Sequence, residues 1–425
     1  MAKLTSIPTL VQAPFIIAKI GNFTFGSYSG GHDYSRGPVK VTYPNYMKSI
    51  SIMKVNGKIN TYTLTFEYQI TANDDPNLLD KVFSTTANDR KIILSYGDWN
   101  APSYIYKEEE CLIINVKSTV SVQASKIIYT VDCVSTSARL AGIKYDFPQY
   151  VAKPSSIIKS IINNSTYKIS EIFTGMNKNK NKKVEQLIAS DDQKVTIHAR
   201  SQINIIDYIG YLVECMLPED TGNITPYMAK KANIQSAKYY LVVNDDLNNE
   251  QGGNYFRVVK VNAGGNPTQA NVMNQKLDVY EIDIGYPGDN FVTAFETTSD
   301  EQYSILYEEA TKIEQEQYIY RIDNNGNMTT TYSPAITRSQ NLKRTTAADK
   351  SWWNQVTNFP ISARLTIKGL TRPSILMSYV KLNVLFYGRE HITSGLYIII
   401  KQEDTINNNG YSTTLTLQRI PQNTK

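Results

Sequence analysis

Cysteine and histidine, which supply most metal ligands and many nucleophiles in proteins, are scarce in this sequence. The 425 residues include three of each. The cysteines Cys111, Cys133 and Cys215 are too few, and odd in number, for a disulfide framework, and no spacing of Cys and His matches a zinc site. We therefore expect three reduced thiols in the core, no bound metal and no cofactor.

A long hydrophobic run is also missing. No apolar segment reaches the ~20 residues that a helix needs to cross a bilayer. Residues 1–21 are partly apolar, but Pro8, Gln12 and Pro14 interrupt them, which is not typical of a signal peptide. We expect no membrane-spanning segment, and a chain that is made and kept in a cytoplasm.

Neither sign of charge dominates the composition. The chain has 44 basic and 39 acidic residues, and its net charge of +5 is too small to predict nucleic-acid binding by itself. The segment GMNKNKNKKVEQ at 175–186 contains Lys178, Lys180, Lys182 and Lys183. These lysines could contact DNA, but because no aromatic residues lie among them, a solvated loop is the better interpretation.

Catalytic motifs are absent as well. His32 and Asp33 lie in a Gly/Ser-rich loop, but no G-x-S-x-G or comparable motif accompanies them. Glu108, Glu109 and Glu110 are consecutive, so neighbours would point to opposite faces of a strand, whereas glycosidases need two converging carboxyls. We interpret these glutamates as the charged edge of a β-element. The sequence predicts a chain that is not an enzyme and has no catalytic residue.

What the sequence does contain is a strong β-strand pattern. In residues 49–70 the pair Asn56 and Gly57, a signal for a type I′ hairpin turn, separates two strands. After the turn, apolar and polar residues alternate over about nine positions. A short helix is predicted over 73–84, with Asp75 as its cap, and strands over 90–96, 111–117 and 126–135. Residues 1–148 are thus expected to form a first barrel or sandwich.

The pattern changes to helical spacing after residue 149. Residues 153–164 and 201–220 each carry an apolar stripe, and the second helix is predicted to begin after Ser201 and to end at Pro218. We assign 149–231 to a helix-containing domain and 232–298 plus 351–425 to a second barrel domain. The insertion at 299–350 is expected to contain a helix over 299–316 and a hairpin around Asn325-Gly326. The predicted fold is mainly β, of the α+β type.

The last strand pair is the best-specified part of the sequence. It reads SGLYIIIKQEDTINNNGYSTTLTLQRI at 394–420. Gly410 can supply a positive φ at the start of the second strand, and the polar stretch 402–410 is expected to link the two strands. In the second strand, one face is predicted to consist of Tyr411, Thr413, Leu415 and Leu417.

This segment resembles the end of the central baseplate hub proteins of tailed phages and related contractile injection systems. That family typically ends a tube-like barrel with Ser-Gly-x-Tyr, a polar turn, Gly-Tyr and a Thr/Leu strand. Residues 352–370 are similar to the strand that leads into this barrel, and 43–84, with Asn56 and Gly57, and 91–98 to the family's first barrel. The matching residues at the C-terminus are Ser394, Gly395, Tyr397, Gly410, Tyr411, Thr413, Leu415 and Leu417.

The resemblance implies two tube-like antiparallel barrels per chain and a homotrimer with six barrels around a pore. Such a hub joins the sixfold tail tube protein to the threefold central spike protein, contacts other baseplate proteins and lets DNA pass. The implied location is the tail baseplate of a virion, after assembly in the host cytoplasm. Because a conduit should not retain DNA, we expect Lys178–Lys183 to lie outside the channel.

Three other interpretations stay open at this point. The chain could be a hub-like domain of a tail-tip protein in a non-contractile phage. It could be a glycan-binding β-sandwich, in which Trp352 or Trp353 stacks on sugars. It could also be a cell-wall hydrolase, although the carboxylate pattern gives this little support.

Overall fold

The structure of the chain is a computed structural model. Several residues that the sequence singles out, namely His32, Asp33, Lys178–Lys183, Trp352 and Trp353, lie outside the residues that it describes. The described residues are 14–28, 46–85, 90–98, 107–169, 188–217, 237–244, 255–262, 271–272, 275–276, 279–284, 292–299, 316–322, 328–334, 361–368 and 376–420.

The N-terminal region consists of antiparallel strands with one helix between them. Alternate residues of its last strand, from Ile127 to Ser135, are buried, as a period of two predicts. The strands lie in the order β3-β4-β7-β6-β5-β1-β2. The elements are β1 (Pro14–Ile20), β2 (Phe23–Tyr28), β3 (Met47–Val55), β4 (Thr61–Gln69), α1 (Leu78–Thr85), β5 (Lys91–Asp98), β6 (Lys107–Ser121) and β7 (Lys126–Ser135). Their shared interior, which includes Leu64, Phe66, Tyr129 and Val131, is the N-terminal core.

The hairpin turn at Asn56-Gly57 and the helix of this region are confirmed, but the turn is not of the predicted type I′. Gly57 has φ +70°, whereas Asn56 does not have a positive φ, and a type I′ turn requires one at both positions. Before α1, the Asp75 carboxylate accepts a hydrogen bond from the Asn77 amide at 2.9 Å, as a cap does. Phe83 of α1 then packs against Tyr129, with 5.4 Å between ring centroids.

A small unit with two helices follows. Its elements are β8 (Lys144–Phe147), β9 (Tyr150–Ala152), α2 (Pro154–Asn163), β10 (Val195–Ile197), β11 (Arg200–Asn204) and α3 (Ile205–Glu214). Pro154 opens α2, and the buried Asp192 accepts hydrogen bonds from the Ser155 amide at 2.9 Å and the Ser155 hydroxyl at 2.5 Å. A carboxylate from a distant part of the chain thus satisfies one free amide of the first turn.

The boundaries of the second helix were predicted wrongly. Ser201 belongs to β11, which pairs with β8, so the chain is still extended there. Asn204 is the cap instead, accepting from the Asp207 amide at 2.9 Å. The helix ends at Glu214, before Pro218, and the Leu217 carbonyl accepts from the Gln193 amide at 2.9 Å.

Two strands, β12 (Ala237–Asn244) and β13 (Tyr255–Asn262), form a separate sheet that is covered on both faces. Leu241 and Val243 pack on the helical unit. Tyr240 and Val242 pack against the C-terminal strands. Burial on both sides explains why the run YYLVV is apolar without alternation.

The C-terminal region holds the remaining strands. They are β14 (Asn271–Val272), β15 (Gln275–Lys276), β16 (Val279–Ile284), β17 (Val292–Ser299), β18 (Glu316–Ile322), β19 (Met328–Pro334), β20 (Ile361–Lys368), β21 (Tyr379–Phe386), β22 (Arg389–Glu390), β23 (Gly395–Asn407) and β24 (Gly410–Arg419). Leu365, Leu382 and Leu415 belong to its interior, the C-terminal core. Strands β18 and β19 pair as the predicted hairpin around 325–326. The predicted helix at 299–316 lies outside the described residues except for Ser299 and Glu316, which end β17 and begin β18.

The mainly β class is confirmed, but the hydrogen-bonded strand order does not close into two barrels within the described residues. It runs as one open path, β17-β20-β24-β23-β3-β4-β7-β6-β5-β1-β2. Over Ile50–Met53, β3 pairs with β4 on one edge and with β23 on the other. Because a strand has only two edges, β2 cannot close a ring on this part of β3. One sheet therefore crosses the predicted boundary between the first and second barrel domains.

Candidate functional site

Strand β23 joins the two regions. Over Gly395–Ile398 it pairs with β21, and over Lys401–Ile406 it pairs with Ile50–Val55 of β3. Between these stretches the Ile400 carbonyl accepts a hydrogen bond from the Asn56 amide at 2.9 Å, next to the predicted turn. A single strand thus leaves the C-terminal region and becomes the edge partner of the N-terminal region.

Side-chain and backbone contacts fix the start of β23. The Ser394 hydroxyl accepts from the Val384 amide at 2.9 Å and donates to the Val384 carbonyl at 3.1 Å. Arg419 donates to the carbonyls of Ile392 at 2.9 Å and Ser394 at 3.0 Å. Gly395 has φ +154°, and a Cβ there would lie 3.0 Å from Arg419 Nε. Glycine is required here by both the backbone conformation and the close approach of the arginine.

The other end of the hairpin is a tight turn. Gly410 has φ +117°, and just before it the Asn409 amide donates to the Asn407 side chain at 2.8 Å. Because β23 continues to Asn407, the expectation that 402–410 is a polar link was wrong for most of that stretch. Near the base of the hairpin, the buried Tyr397 hydroxyl donates to the Thr393 carbonyl at 2.6 Å.

The second strand of the hairpin spans both cores. Tyr411 lies in the N-terminal core, whereas Leu415 and Leu417 lie in the C-terminal core. Thr413, between them, is fully buried. The residues that carry the family resemblance at the C-terminus therefore build one hairpin that penetrates two hydrophobic interiors.

Buried polar groups lie on this hairpin between the two cores. Asp404 is 1% exposed and accepts from the Thr413 hydroxyl at 2.6 Å and from the Gln402 side chain at 2.9 Å. Gln402 lies opposite Lys54 in the β23–β3 ladder. These partners explain how polar residues can occupy the inner face of a strand.

Beside them, Glu109 is at the centre of a second group. It accepts from Lys54 Nζ at 2.6 Å and from the hydroxyls of Tyr62 at 2.6 Å and Tyr96 at 2.5 Å. Glu109 and Lys54 are each 1% exposed, so the interpretation of Glu109 as a charged strand edge was wrong. The signal was in the sequence, because Glu109 is in phase with Cys111 and both are buried.

The carboxylates of Glu109 and Asp404 determine the electrostatics of the junction, which is the place where the β23–β24 hairpin meets the N-terminal core. Burial acts to raise the pKa of Glu109, but the Lys54 ammonium and the hydrogen bonds from Lys54 and the two tyrosines outweigh it, so the pKa lies below its ordinary value. For Tyr411, burial raises the pKa well above the usual range, and the Asp404 charge adds to this. At neutral pH the arrangement is a carboxylate paired with an ammonium beside neutral phenols.

This chemistry stabilises structure and offers no substrate access. Glu109 and Asp404 are each 1% exposed, and their oxygens already accept hydrogen bonds from side chains. Among the residues that the structure describes, no three His, Cys, Asp or Glu side chains are grouped so that they could hold a metal ion. All three cysteines are free and buried, which confirms the expected core thiols. None of the described helices is long and apolar enough to cross a membrane.

A cavity of about 450 Å³ borders the junction on the side of the helical unit. It is lined by the β3–β4 turn, including Asn56, by α3 and by β12 and β24. At its wall, Gln418 of β24 accepts from Lys238 Nζ and from the Tyr240 hydroxyl, each at 2.8 Å. These bonds attach β12, and with it the helical unit, to the C-terminal hairpin.

Comparisons with known proteins find likeness in structure alone. Neither a scan against protein-family models nor a search of curated proteins finds a match. The tail protein from Neisseria meningitidis MC58 aligns with 7% identity and a TM-score of 0.45, covering 96% of each chain. The 43 kDa tail protein of prophage MuSo2 from Shewanella oneidensis aligns with 10% identity and a TM-score of 0.46, covering 96% of this chain and 98% of that one.

A third neighbour belongs to a secretion machine. It is an E. coli component of the type VI secretion system with structural similarity to the T4 bacteriophage tail proteins gp27 and gp5, and it aligns with 9% identity and a TM-score of 0.41, covering 88% of this chain and 73% of that one. At such identities and TM-scores the likeness carries no argument about this chain.

Proposed function

We propose that this chain is a structural, non-enzymatic protein of a phage tail or a related injection machine, and that it serves as the hub of the baseplate. Three copies close a ring that joins the sixfold tail tube to the threefold central spike and lets DNA pass. Localisation in the virion tail follows from this role.

The observation that carries the proposal is the β23–β24 hairpin. It is built from the residues of the hub-like signature, 394–420, and it holds two strand regions together as one sheet. A joint between two assemblies has to transmit force without bending. The β23–β3 ladder over Ile50–Val55 and the buried pair Lys54–Glu109 resist such bending, because opening the ladder would leave backbone and charged groups unsatisfied.

Two strand regions per chain allow one ring to match two symmetries. Each chain supplies two sets of strands, so three chains supply six, and one ring can match both a sixfold and a threefold partner. A ring of identical chains closes through a head-to-tail contact between different surfaces. The net charge of +5 per chain does not by itself predict nucleic-acid binding, which is compatible with a passage.

Electron microscopy of the isolated chain, together with its mass in solution, tests the proposal. We expect a threefold ring with a central hole and the mass of three copies. A strictly monomeric particle at tens of micromolar would contradict the hub role. A zymogram on bacterial cell wall tests the non-enzymatic part, and a cleared band would overturn it.

A further inference from the structure

Two exposed apolar patches lie in different regions of the chain. The first, the edge strip, consists of Ile114, Val116, Val120 and Val122, of which Val120 is 61% and Val122 84% exposed. The second, the tip, consists of Phe386 and Tyr387 at the β21–β22 turn and Ile392 just after β22, and Tyr387 is fully exposed. Clusters of exposed apolar side chains mark interaction sites more often than single exposed ones do.

The edge strip exists because β6 is longer than its neighbour β5. The described pairing with β5 ends at Leu112, whereas the pairing with β7 continues to Ser121. Val116 lies opposite Val131, and Val120 lies opposite Ile127. Directly opposite residues of two paired strands point to the same face, so Val116 and Val120 are on the core-facing side of the sheet. The β7 residues are buried and the β6 residues are not. Among the described residues, the apolar face of the sheet therefore continues past the core into exposed positions.

The tip holds an aromatic residue in an unusual backbone conformation. Tyr387 has φ +51° and Gly388 has φ +78°, as in a type I′ turn. That turn favours Asn at the first of these positions, and a bulky residue there is strained. The Tyr387 ring is fully exposed, so no packing against the described residues compensates for the strain. A strained and exposed aromatic residue is what an interface anchor looks like before its partner binds.

We propose that the tip of one copy packs on the edge strip of the next copy, head to tail. This contact is the one that closes the ring of the proposed function, and it rests on that proposal. The two patches differ and lie one in each region, which a head-to-tail ring requires and a twofold dimer does not. Lys117 beside the strip, and Arg389 and Glu390 beside the tip, give the contact a polar rim around an apolar centre.

The size of the strip also favours a ring of copies over a free peptide. The strip spans about 30 Å along β6 and about 10 Å across, or roughly 300 Å², at the usual spacings of strands. A lasting interface needs about 800 Å² per partner. A patch this small gives a high affinity only when a second contact holds the same partner. In a closed ring every copy makes two such contacts.

Sedimentation velocity of the full chain tests the contact through three single variants. Val120→Lys puts a charge in the strip, and Tyr387→Asn gives the turn its favoured residue while it removes the anchor. We expect each to weaken trimer formation at least tenfold, and Tyr387→Asn to raise the melting temperature of the protomer. Val151→Lys, at a residue 72% exposed in the helical unit, is the matched control and should assemble like the wild type.

Cysteine cross-linking gives the orientation. The three native cysteines are buried, so an added surface cysteine can be modified selectively. A mixture of Val122→Cys and Tyr387→Cys chains should give dimers with a short bifunctional maleimide, and neither variant should do so alone. Cross-linking of Val122→Cys with itself would overturn the head-to-tail contact.

The outcomes separate this inference from the hub role. A threefold ring that Val120→Lys and Tyr387→Asn leave intact would overturn the inference and leave the hub role standing. A wild-type chain that stays monomeric would overturn both. Trimers that both variants weaken, and that Val151→Lys does not, would support both.

Discussion

Lys54 and Glu109 form a buried ion pair, with 2.6 Å between Nζ and Oε1, although 55 residues separate them in the sequence. Lys54 lies opposite Gln402 on the strand that arrives from the C-terminal hairpin. The pair therefore marks the place where the hairpin meets the N-terminal core. Two charges in such a place are tolerated only when each has its partner, since either one alone would be desolvated without compensation.

Removing the cation should destabilise the fold strongly. Lys54→Met leaves Glu109 buried without its ammonium, and we expect a loss of about 3–5 kcal/mol in the free energy of unfolding. The matched control is Lys81→Met, because the Lys81–Asp75 pair is 64% and 42% exposed and should cost less than about 1 kcal/mol. Urea titrations followed by fluorescence measure both. If the two variants were equally stable, the pair would not have the structural role assigned to it.

The Lys54–Glu109 pair should make the free energy of unfolding depend on pH. The pKa of Glu109 is lower in the folded chain than in the unfolded one, where it is about 4.3. Its contribution is therefore present above about pH 4.3 and is lost as the pH falls through the folded-state pKa. The difference in stability between the wild type and Glu109→Gln should be largest near neutral pH and should shrink below about pH 4. A difference that stays constant with pH would contradict this.

Thr413 should matter more than its neighbour on the other face of β24. Thr413→Val keeps the shape but removes the hydroxyl that donates to Asp404 at 2.6 Å, so a buried carboxylate loses a donor and we expect about 1–3 kcal/mol of destabilisation. Thr414, whose hydroxyl pairs with Thr366 at 3.1 Å in a partly exposed place, provides the control. Thermal unfolding of Thr413→Val and Thr414→Val compares them, and the reverse order of stabilities would argue against the Asp404 contact.

Two glycines should respond to alanine with opposite signs. At Gly395 the backbone has φ +154° and a Cβ would lie 3.0 Å from Arg419 Nε, so we expect Gly395→Ala to cost more than about 1 kcal/mol. At Gly210, inside α3, a Cβ would meet nothing within 4 Å, so Gly210→Ala should stabilise the chain by up to about 1 kcal/mol. Calorimetry of both variants is the measurement. A neutral Gly395→Ala would show that Arg419 can move away at no cost.

Local pattern was enough to predict many of the elements. The alternation after residue 60, the Asn56-Gly57 turn and the helix at 153–164 were all visible, because each depends on neighbours in the sequence. The start of α3 was not, because β11 pairs with β8 at Arg200 and again from Ile203, and Ser201 lies in the irregularity between them. Nor was the strand character of 402–407, where the polar Gln402 and Asp404 are stabilised by partners that composition does not reveal.

The junction itself lies beyond such patterns. Lys54 is in phase with Ile52, and Glu109 with Cys111, so each could be placed on a buried face from the sequence. That the two meet, and that β23 leaves β21 to pair with β3, are long-range facts that no local period contains. The described residues do not form the two closed barrels that were expected, for the same reason, since that expectation assumed that each region would use its own edges.

Hydrogen exchange at the β3–β23 ladder is the most direct test of whether the β23–β24 hairpin joins the two regions. If the hairpin joins the two regions, amides in peptides covering 50–55 and 401–406 should exchange as slowly as those of β4 and β24, and Lys54→Met should accelerate both peptides together. Fast exchange at 50–55 beside slow exchange in β4 would mean that β3 is a free edge. In that case the two regions would be separate bodies, and the account of a rigid joint would be wrong.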